Sequence, residues 1–179
     1  MFDCDRLVPG VFFDRDGTLM EEVHYCNDPS KVVMIPGSNR ALRQLAERGF
    51  KRFIITNQSG IGRGIISIEQ FEAVQAELMR QLGPNTIDAV YYCPALPNQR
   101  SLRRKPMPGM VYEASWQHGI DLSRSWFVGD KKADIGCGHS AGMQTILVET
   151  GYGKDELDAE ADFITPDVAA AVRLILEKT

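Results

Sequence analysis

Short apolar runs alternate with amphipathic stretches along this chain. The runs are Val11-Phe12-Phe13, Phe53-Ile54-Ile55, Ile87 to Tyr92, Trp126-Phe127-Val128 and Thr145 to Val148. Runs this short, apolar throughout and bounded by polar or glycine-rich segments, read as strands buried on both faces. Between the first two, Leu42, Leu45 and Ala46 share one helical face while Arg40, Arg43 and Glu47 point elsewhere. Pro36-Gly37-Ser38 opens that helix with Ser38 as its expected cap, and Gly49 ends it. Ser67-Ile68-Glu69-Gln70 has the pattern of a capping box. The helix after it buries Phe71, Val74, Leu78 and Leu82 and stops at Gly83-Pro84. Met107-Pro108-Gly109-Met110 opens another helix that runs to about His118, with only a rough stripe at Met110, Val111, Ala114 and Trp116. A further helix follows Gly129-Asp130 and ends at Ala141-Gly142. Asp162-Phe163-Ile164 is a last short strand. Thr165 and Pro166 are the expected start of a closing helix carrying Val168, Val172, Leu174 and Ile175.

Strand–helix–strand order predicts right-handed parallel βαβ units. The expected fold class is α/β, a three-layer Rossmann-like arrangement with a mainly parallel sheet. No repeat, low-complexity tract or linker divides the chain, so residues 1–179 are expected to form one domain. No insertion is long enough for a large cap domain. Met1 to Gly10 is a short lead-in punctuated by Pro9-Gly10. Met20 to Pro36 lacks periodicity and reads as a long loop, with or without a short hairpin, over the end of the first strand. Long loops in compact domains are commonly lids or substrate loops, which makes His24 and Tyr25 candidates for substrate contact; an ordinary surface loop is the alternative. Gly151-Tyr152-Gly153 is a flexible turn.

Composition narrows the class. The chain has 179 residues, 44% hydrophobic and 25% charged, as in soluble globular proteins. A formal net charge of −4 argues against broad nucleic-acid binding, leaving only a local basic patch open. Cys4, Cys26, Cys93 and Cys137 are far apart with no CxxC pair, which disfavours a disulfide scaffold or a four-ligand zinc site. No basic-then-apolar leader is visible, and no apolar run reaches the roughly 20 residues of a membrane helix. A cytoplasmic compartment with reduced thiols is expected.

The candidate chemistry lies where strands end. Val11–Phe13 runs into Asp14-Arg15-Asp16-Gly17-Thr18. In an extended backbone, residues i and i+2 project to the same side, so Asp14 and Asp16 are expected to face one pocket. Two carboxylates there repel, and a hard divalent ion such as Mg²⁺ relieves that repulsion; a plain polar turn is the alternative. The second strand ends in Thr56-Asn57-Gln58-Ser59-Gly60, whose hydroxyl, amide and backbone N–H groups suit a phosphate. Gly60, Gly62 and Gly64 surround Arg63, a candidate anion ligand, though the segment lacks the GK[ST] ending of a P-loop and also reads as a plain glycine-rich connection. Arg100, Arg103, Arg104 and Lys105 lie in a proline-rich loop from Cys93 to Pro108. Lys105 is the candidate for charge balance at a phosphate and Arg104 for a second anionic group. The fourth strand ends in Gly129-Asp130-Lys131-Lys132-Ala133-Asp134. Asp130 has no obvious packing role there, whereas Asp134 also fits as an acidic residue in a first helical turn. His139 and Cys137 read as structural.

Together, DRDGT, TNQSG, RRKP and GDKKAD resemble the motifs of the haloacid dehalogenase superfamily of phosphohydrolases over about Val11 to Gly153. FFDRDGTL, TNQSGIGRG, YYCP, RKPMPGM and VGDK are similar to its heptose-bisphosphate phosphatases, with histidinol-phosphate phosphatases as close relatives. The resemblance implies Asp14 as nucleophile and Asp16 as general acid and then base. It implies Mg²⁺ on the side chains of Asp14 and Asp130 and the backbone carbonyl of Asp16. Thr56, Asn57 and Lys105 would hold the phosphoryl group, Lys131 would lie near it, and Asp134 would support the metal shell or orient Lys105. The implied partner is a small phosphorylated metabolite, met by a monomer with neither nucleic acid nor membrane. Members often carry a zinc-binding Cys-x-His…Cys-x-Cys loop before RKP. Here Cys93 matches, but Ala95, Ser101 and Arg103 stand at the other positions. One soft ligand of four does not make a structural zinc site, so no zinc is expected, and the loop must be held by its prolines and basic contacts or be more mobile.

Overall fold

The computed structural model describes residues 7–179; the first six, with Cys4 and most of the expected lead-in, lie outside the described residues. Six strands, β1 (Gly10–Phe13), β2 (Lys51–Asn57), β3 (Ala89–Cys93), β4 (Trp126–Gly129), β5 (Gln144–Val148) and β6 (Phe163–Thr165), form one sheet in the order β3-β2-β1-β4-β5-β6. Every neighbouring pair is parallel. The helices are α1 (Ser38–Glu47), α2 (Ser59–Gly62), α3 (Ile68–Leu82), α4 (Gly109–His118), α5 (Lys132–Ser140) and α6 (Val168–Lys178).

Alternation along the strands makes the layers. Val11 and Phe13 pack on one side with Leu42 and Leu45 of α1, Val74 and Leu78 of α3, and Val172 and Ile175 of α6. Phe12 points to the other side, against Met110 and Val111 of α4 and Cys137 of α5. There it stacks on Phe53 at 4.9 Å between centroids. Each side chain of this size taken fully out of water contributes roughly 1.5–3 kcal/mol. Helices therefore cover both faces of the sheet, as the uninterrupted apolar runs require. Among the described residues no separate cap stands over it, and no helix is long and apolar enough to cross a membrane.

Local signals shifted in three places. Ser38 is the first helical residue and its hydroxyl donates to Ile35 O; Gly37, with φ of 84°, is the cap. The closing helix is capped by Asp167, which accepts from Ala170 N, because Thr165 belongs to β6 and its carbonyl accepts from Glu149 N. Trp116 is exposed, off the buried stripe of Met110, Val111 and Ala114. The Met20–Pro36 loop is tied down as a short antiparallel bridge between Met20 and Met34, with one 3₁₀ turn at Pro29–Lys31. The capping box at Ser67 and Gln70 forms as expected.

From β1 the chain winds outward through β2 and β3, then returns to the other side of β1 for β4, β5 and β6. The β1–β4 seam is thus the point where the winding reverses, and the crevice at the carboxyl ends of such strands is where open α/β sheets bind ligands. Asp14 N donates to Val128 O at 3.0 Å, which continues the pairing to the last residue before the seam opens.

Candidate active site

Asp14 follows β1 and Asp130 follows β4, so adjacent parallel strands deliver two carboxylates to one place. Asp134 joins them from the first turn of α5, where its Oδ2 also accepts from Lys131 N at 3.0 Å. One carboxylate oxygen from each of the three lies within 4.8 Å of the others, and all three residues are buried. Lys105, from the far loop, sits among them. Its Nζ donates to Asp14 Oδ1 at 2.8 Å, Asp134 Oδ1 at 2.6 Å and Ile55 O at 2.7 Å, which uses all three ammonium donors. Asn57, at the end of β2, holds that lysine by its backbone: its amide donates to Lys105 O and accepts from Lys105 N, both at 3.1 Å.

The charges do not balance through Lys105 alone. Burial by itself would raise the Asp14 carboxyl, but Lys105 and Lys131 outweigh it and hold it below the usual range. Burial pushes Asp130 up to about 8, with Asp14 and Asp134 adding to the rise. Burial also raises Asp134 to about 6, against the pull of Lys105. Burial disfavours the Lys105 ammonium, yet Asp134 and Asp14 keep it above the ordinary lysine range. Lys131 is held high in the same way, chiefly by Asp14 and Asp130 against its own burial.

Asp130 is the group left short. Its Oδ2 accepts from Tyr152 N at 2.9 Å, while its Oδ1 is buried with no hydrogen-bond partner among the described residues. A Cβ on Gly17 would run into this carboxylate, so the Asp16–Thr18 turn closes over it only because position 17 is glycine, at φ of 81°. An orphaned carboxylate oxygen beside a second buried carboxylate fits a hard divalent cation with oxygen ligands. Both Asp134 oxygens are already committed, one to Lys105 and one to Lys131 N, so Asp14 and Asp130 are the side chains with capacity for it.

Asp16 is held differently. Its carboxylate accepts from Arg15 Nε and Nη2, both at 3.0 Å, and from Gln58 Nε2 at 2.9 Å. Gln58 Nε2 also reaches Thr56 Oγ1 at 2.9 Å. A small pocket of about 50 Å³ is lined by Asp14, Asp16, Thr56, Asn57, Lys105, Lys131 and Asp134. Most residues expected from the sequence therefore meet, with Asp130 buried near Asp14 and Asp134.

Arg63 and Arg104 do not join them. The α2 turn intervenes after Asn57 and leaves Arg63 exposed at its end. Arg104 spends its Nη1 on Ala95 O at 2.7 Å, closing its own loop. Sequence reasoning passed over Arg15 and the role of Gln58 at Asp16. Gln58 was findable, since it lies two residues beyond Thr56 and an extended chain sends both to one side. Arg15 had no such signal, because its approach to Asp16 depends on the turn in which Leu19 N and Met20 N return to Arg15 O.

The loop expected to lack zinc is closed by polar contacts. Cys93 Sγ and Ser101 Oγ are 3.6 Å apart, and Ser101 Oγ accepts from Arg103 N at 3.2 Å. Arg103 also donates to Tyr92 O and pairs with Glu113 at 3.3 Å. Cys26, Cys93 and Cys137 are buried and unbridged.

Known proteins resemble the chain at each level. A family model described as HAD-hyrolase-like matches residues 102–171. A D-glycero-D-manno-heptose-1,7-bisphosphate 7-phosphatase of Thermosynechococcus vestitus is 38% identical, over 93% of this chain and 95% of that protein. The D-glycero-beta-D-manno-heptose-1,7-bisphosphate 7-phosphatase of Escherichia coli is 35% identical, over 92% of each. The crystal structure of a D,D-heptose 1,7-bisphosphate phosphatase from B. bronchiseptica, complexed with magnesium and phosphate, superposes with a TM-score of 0.88 at 28% identity, covering 96% of this chain and all of that one. With near-complete coverage at that identity, and with strand-end aspartates meeting a buried lysine, the chain belongs to the haloacid dehalogenase superfamily of phosphatases, the family of these 7-phosphatases.

Proposed function

We propose that the chain, as one domain over residues 1–179, is a Mg²⁺-dependent phosphatase that removes the C7 phosphate of D-glycero-D-manno-heptose 1,7-bisphosphate. It acts on this small metabolite as a cytoplasmic monomer. The observation that carries the reading is Lys105 set between Asp14 and Asp134 beside the half-satisfied Asp130, in a chain whose relatives at 38% and 35% identity are named for this reaction.

In this reading an Asp14 oxygen attacks phosphorus in line with the C7 oxygen. The P–O bond to C7 breaks, and Asp16 gives its proton to the leaving alkoxide. The product is an aspartyl-phosphate on Asp14. Asp16 then takes a proton from water, which attacks phosphorus and frees Asp14 and inorganic phosphate. Proton transfer of this kind is worth roughly 10²–10⁴ in rate. Arg15 and Gln58 aim the Asp16 carboxylate; their three hydrogen bonds leave one Oδ1 lone pair to carry the proton it has to give away. Thr56 and Asn57 line the seat of the phosphoryl group, Lys105 and Lys131 offset its charge, and Asp134 orients Lys105. Asp14 and Asp130, with the backbone carbonyl of Asp16, would hold Mg²⁺, which when bound supplies charge neutralisation to the phosphoryl oxygens.

The test is phosphate release from both anomers of heptose 1,7-bisphosphate and from histidinol phosphate, with Mg²⁺ and with EDTA, beside an Asp14→Asn control. Turnover of a heptose anomer is expected, lost in EDTA and reduced by roughly 10⁴-fold or more in the control. Preference for histidinol phosphate would overturn the heptose assignment.

A further inference from the structure

Among the described residues, Arg15 has one ion-pair partner, and that partner is the proposed proton carrier, Asp16. The Arg15 side chain is 1% exposed, against 14% for Asp16, which lines the small pocket. The other two cations of the site are used differently. Lys105 divides its donors among Asp14, Asp134 and Ile55 O, and Lys131 reaches Glu22. Burying a guanidinium is costly unless a carboxylate pairs with it in good geometry. Here that carboxylate is a reacting group and not a structural one.

The fork has a geometric consequence. Nε donates to Oδ2 and Nη2 to Oδ1, both at 3.0 Å. Two parallel bonds on two oxygens fix the plane of a carboxylate, whereas one bond lets it turn. Gln58 supplies one, to Oδ2 at 2.9 Å. The Oδ1 lone pair left for the proton therefore takes its direction from Arg15.

Arg15 is held in turn by a ring. Its Cζ stands 5.3 Å from the centroid of Phe71, within range of a cation–π attraction. Nη1 is buried with no hydrogen-bond partner among the described residues, so the guanidinium is fixed by Asp16 and the ring. Phe71 is itself well placed to hold still. It is buried, it follows directly on the capping box of Ser67 and Gln70 in the first turn of α3, and it meets the ring of Tyr92 at 4.5 Å. The start of α3 thus reaches the proton carrier through two side chains.

We infer that Arg15, backed by Phe71, is a positioning residue that points the Asp16 proton at the leaving oxygen, and that this pair fits the enzyme to unactivated alkyl phosphates. The inference rests on the proposed phosphatase reading. Its test separates the proton from the rest of the chemistry. A sugar alkoxide is a strong base and takes a proton as its bond to phosphorus breaks, whereas 4-nitrophenolate leaves as the anion. kcat/KM covers the steps up to release of the alcohol or phenol, so the later attack of water does not enter it. The readout is the ratio of kcat/KM for heptose 1,7-bisphosphate to that for 4-nitrophenyl phosphate. It is taken in the wild type, Arg15→Lys, Phe71→Leu and the double variant, with thermal melting alongside.

Arg15→Lys keeps a cation and loses the fork. The ratio is expected to fall about tenfold or more, within the roughly 10²-fold that a misplaced group can cost. Phe71→Leu should lower it about threefold. The double variant should fall no further than Arg15→Lys alone, because the ring acts through the guanidinium. An unchanged ratio in Arg15→Lys, with both substrates slowed alike, would make Arg15 a structural cation and overturn the inference. A Phe71 effect that multiplies the Arg15 effect in the double variant would overturn the part given to Phe71. If Arg15→Lys does not fold, the ratio in Phe71→Leu decides, a fall supporting the inference and no change overturning it. A wild type that cleaves 4-nitrophenyl phosphate but not the heptose bisphosphate would sink the substrate assignment alone, and the ratio is then taken on the best of a set of alkyl phosphates. A wild type that cleaves no alkyl phosphate would overturn the inference too. Absence of all phosphatase turnover would remove both.

Discussion

The carboxylate cluster and the Cys93–Pro108 loop meet at Lys105, and they are held by opposite means. At the cluster, three buried carboxylates come from β1, β4 and α5, and their placement follows from strand pairing. Their mutual repulsion is offset by one buried ammonium and is left incomplete at Asp130 Oδ1. In the loop, prolines and arginines lie partly in water, and the Arg103 and Arg104 guanidiniums donate to nearby carbonyls and a carboxylate. Errors in the first region leave unpaired charge in low dielectric, which is expensive; errors in the second leave groups that water can satisfy. The loop can therefore vary its chemistry while Lys105 stays where the cluster needs it.

The sharpest way to break this contrast is Lys105→Met. It keeps most of the side-chain volume and deletes the charge shared by Asp14 and Asp134. Removing one partner of a buried ion pair costs about 3–5 kcal/mol, and the loss of phosphoryl charge balance should lower kcat by roughly 10²–10³. Urea unfolding at pH 7 and steady-state kinetics check the two parts. A melting point within a degree of the wild type would mean that the cluster is not held by this lysine.

The same contrast explains what the sequence made legible. Asp14 and Asp130 were visible because each follows an uninterrupted apolar run, and a parallel sheet then sends both to one edge. The periodic stripe of α3 and its capping box were equally plain. Ser38 and Thr165 failed as caps because each had a competing use, one as a donor to Ile35 O and one in a strand. Arg63 and Arg104 looked like anion ligands because a sequence shows charge without direction. A single helical turn carries the first away, and one carbonyl claims the second. Arg15 carries no local signal of its role, and only the turn after β1 makes it the clamp on Asp16. The reach of Lys105 across 91 residues to Asp14 was implied by resemblance and not by any local pattern.

A smaller effect should separate the two regions by their response to ions. Asp130 near 8 and Asp134 near 6 both lie above the roughly 3.9 of an unfolded chain. The folded chain then binds more protons than the unfolded one between about pH 4 and 8, so stability of the metal-free protein falls as pH rises through that window. Asp14 has the opposite sign and matters only on the acid side of it. Mg²⁺ competes with the proton at Asp130, so the rise in melting temperature it causes should be larger at pH 8 than at pH 5.5. At 100 times its Kd that rise should reach about 5–10 °C. Equal shifts at the two pH values would place the ion somewhere other than Asp130.

The smallest effects belong to the loop. Arg104→Ala removes the 2.7 Å contact to Ala95 O, and because the loop is partly exposed the freed carbonyl can turn to water. The cost should be about 1 kcal/mol, or about 2–4 °C in melting temperature. A zinc chelator added to the same protein should leave the melting curve unchanged, since Cys93 is one soft ligand beside Ala95, Ser101 and Arg103. If the chelator lowers the melting temperature by more than Arg104→Ala does, the loop is held by an ion, and the two regions are then held by the same means after all.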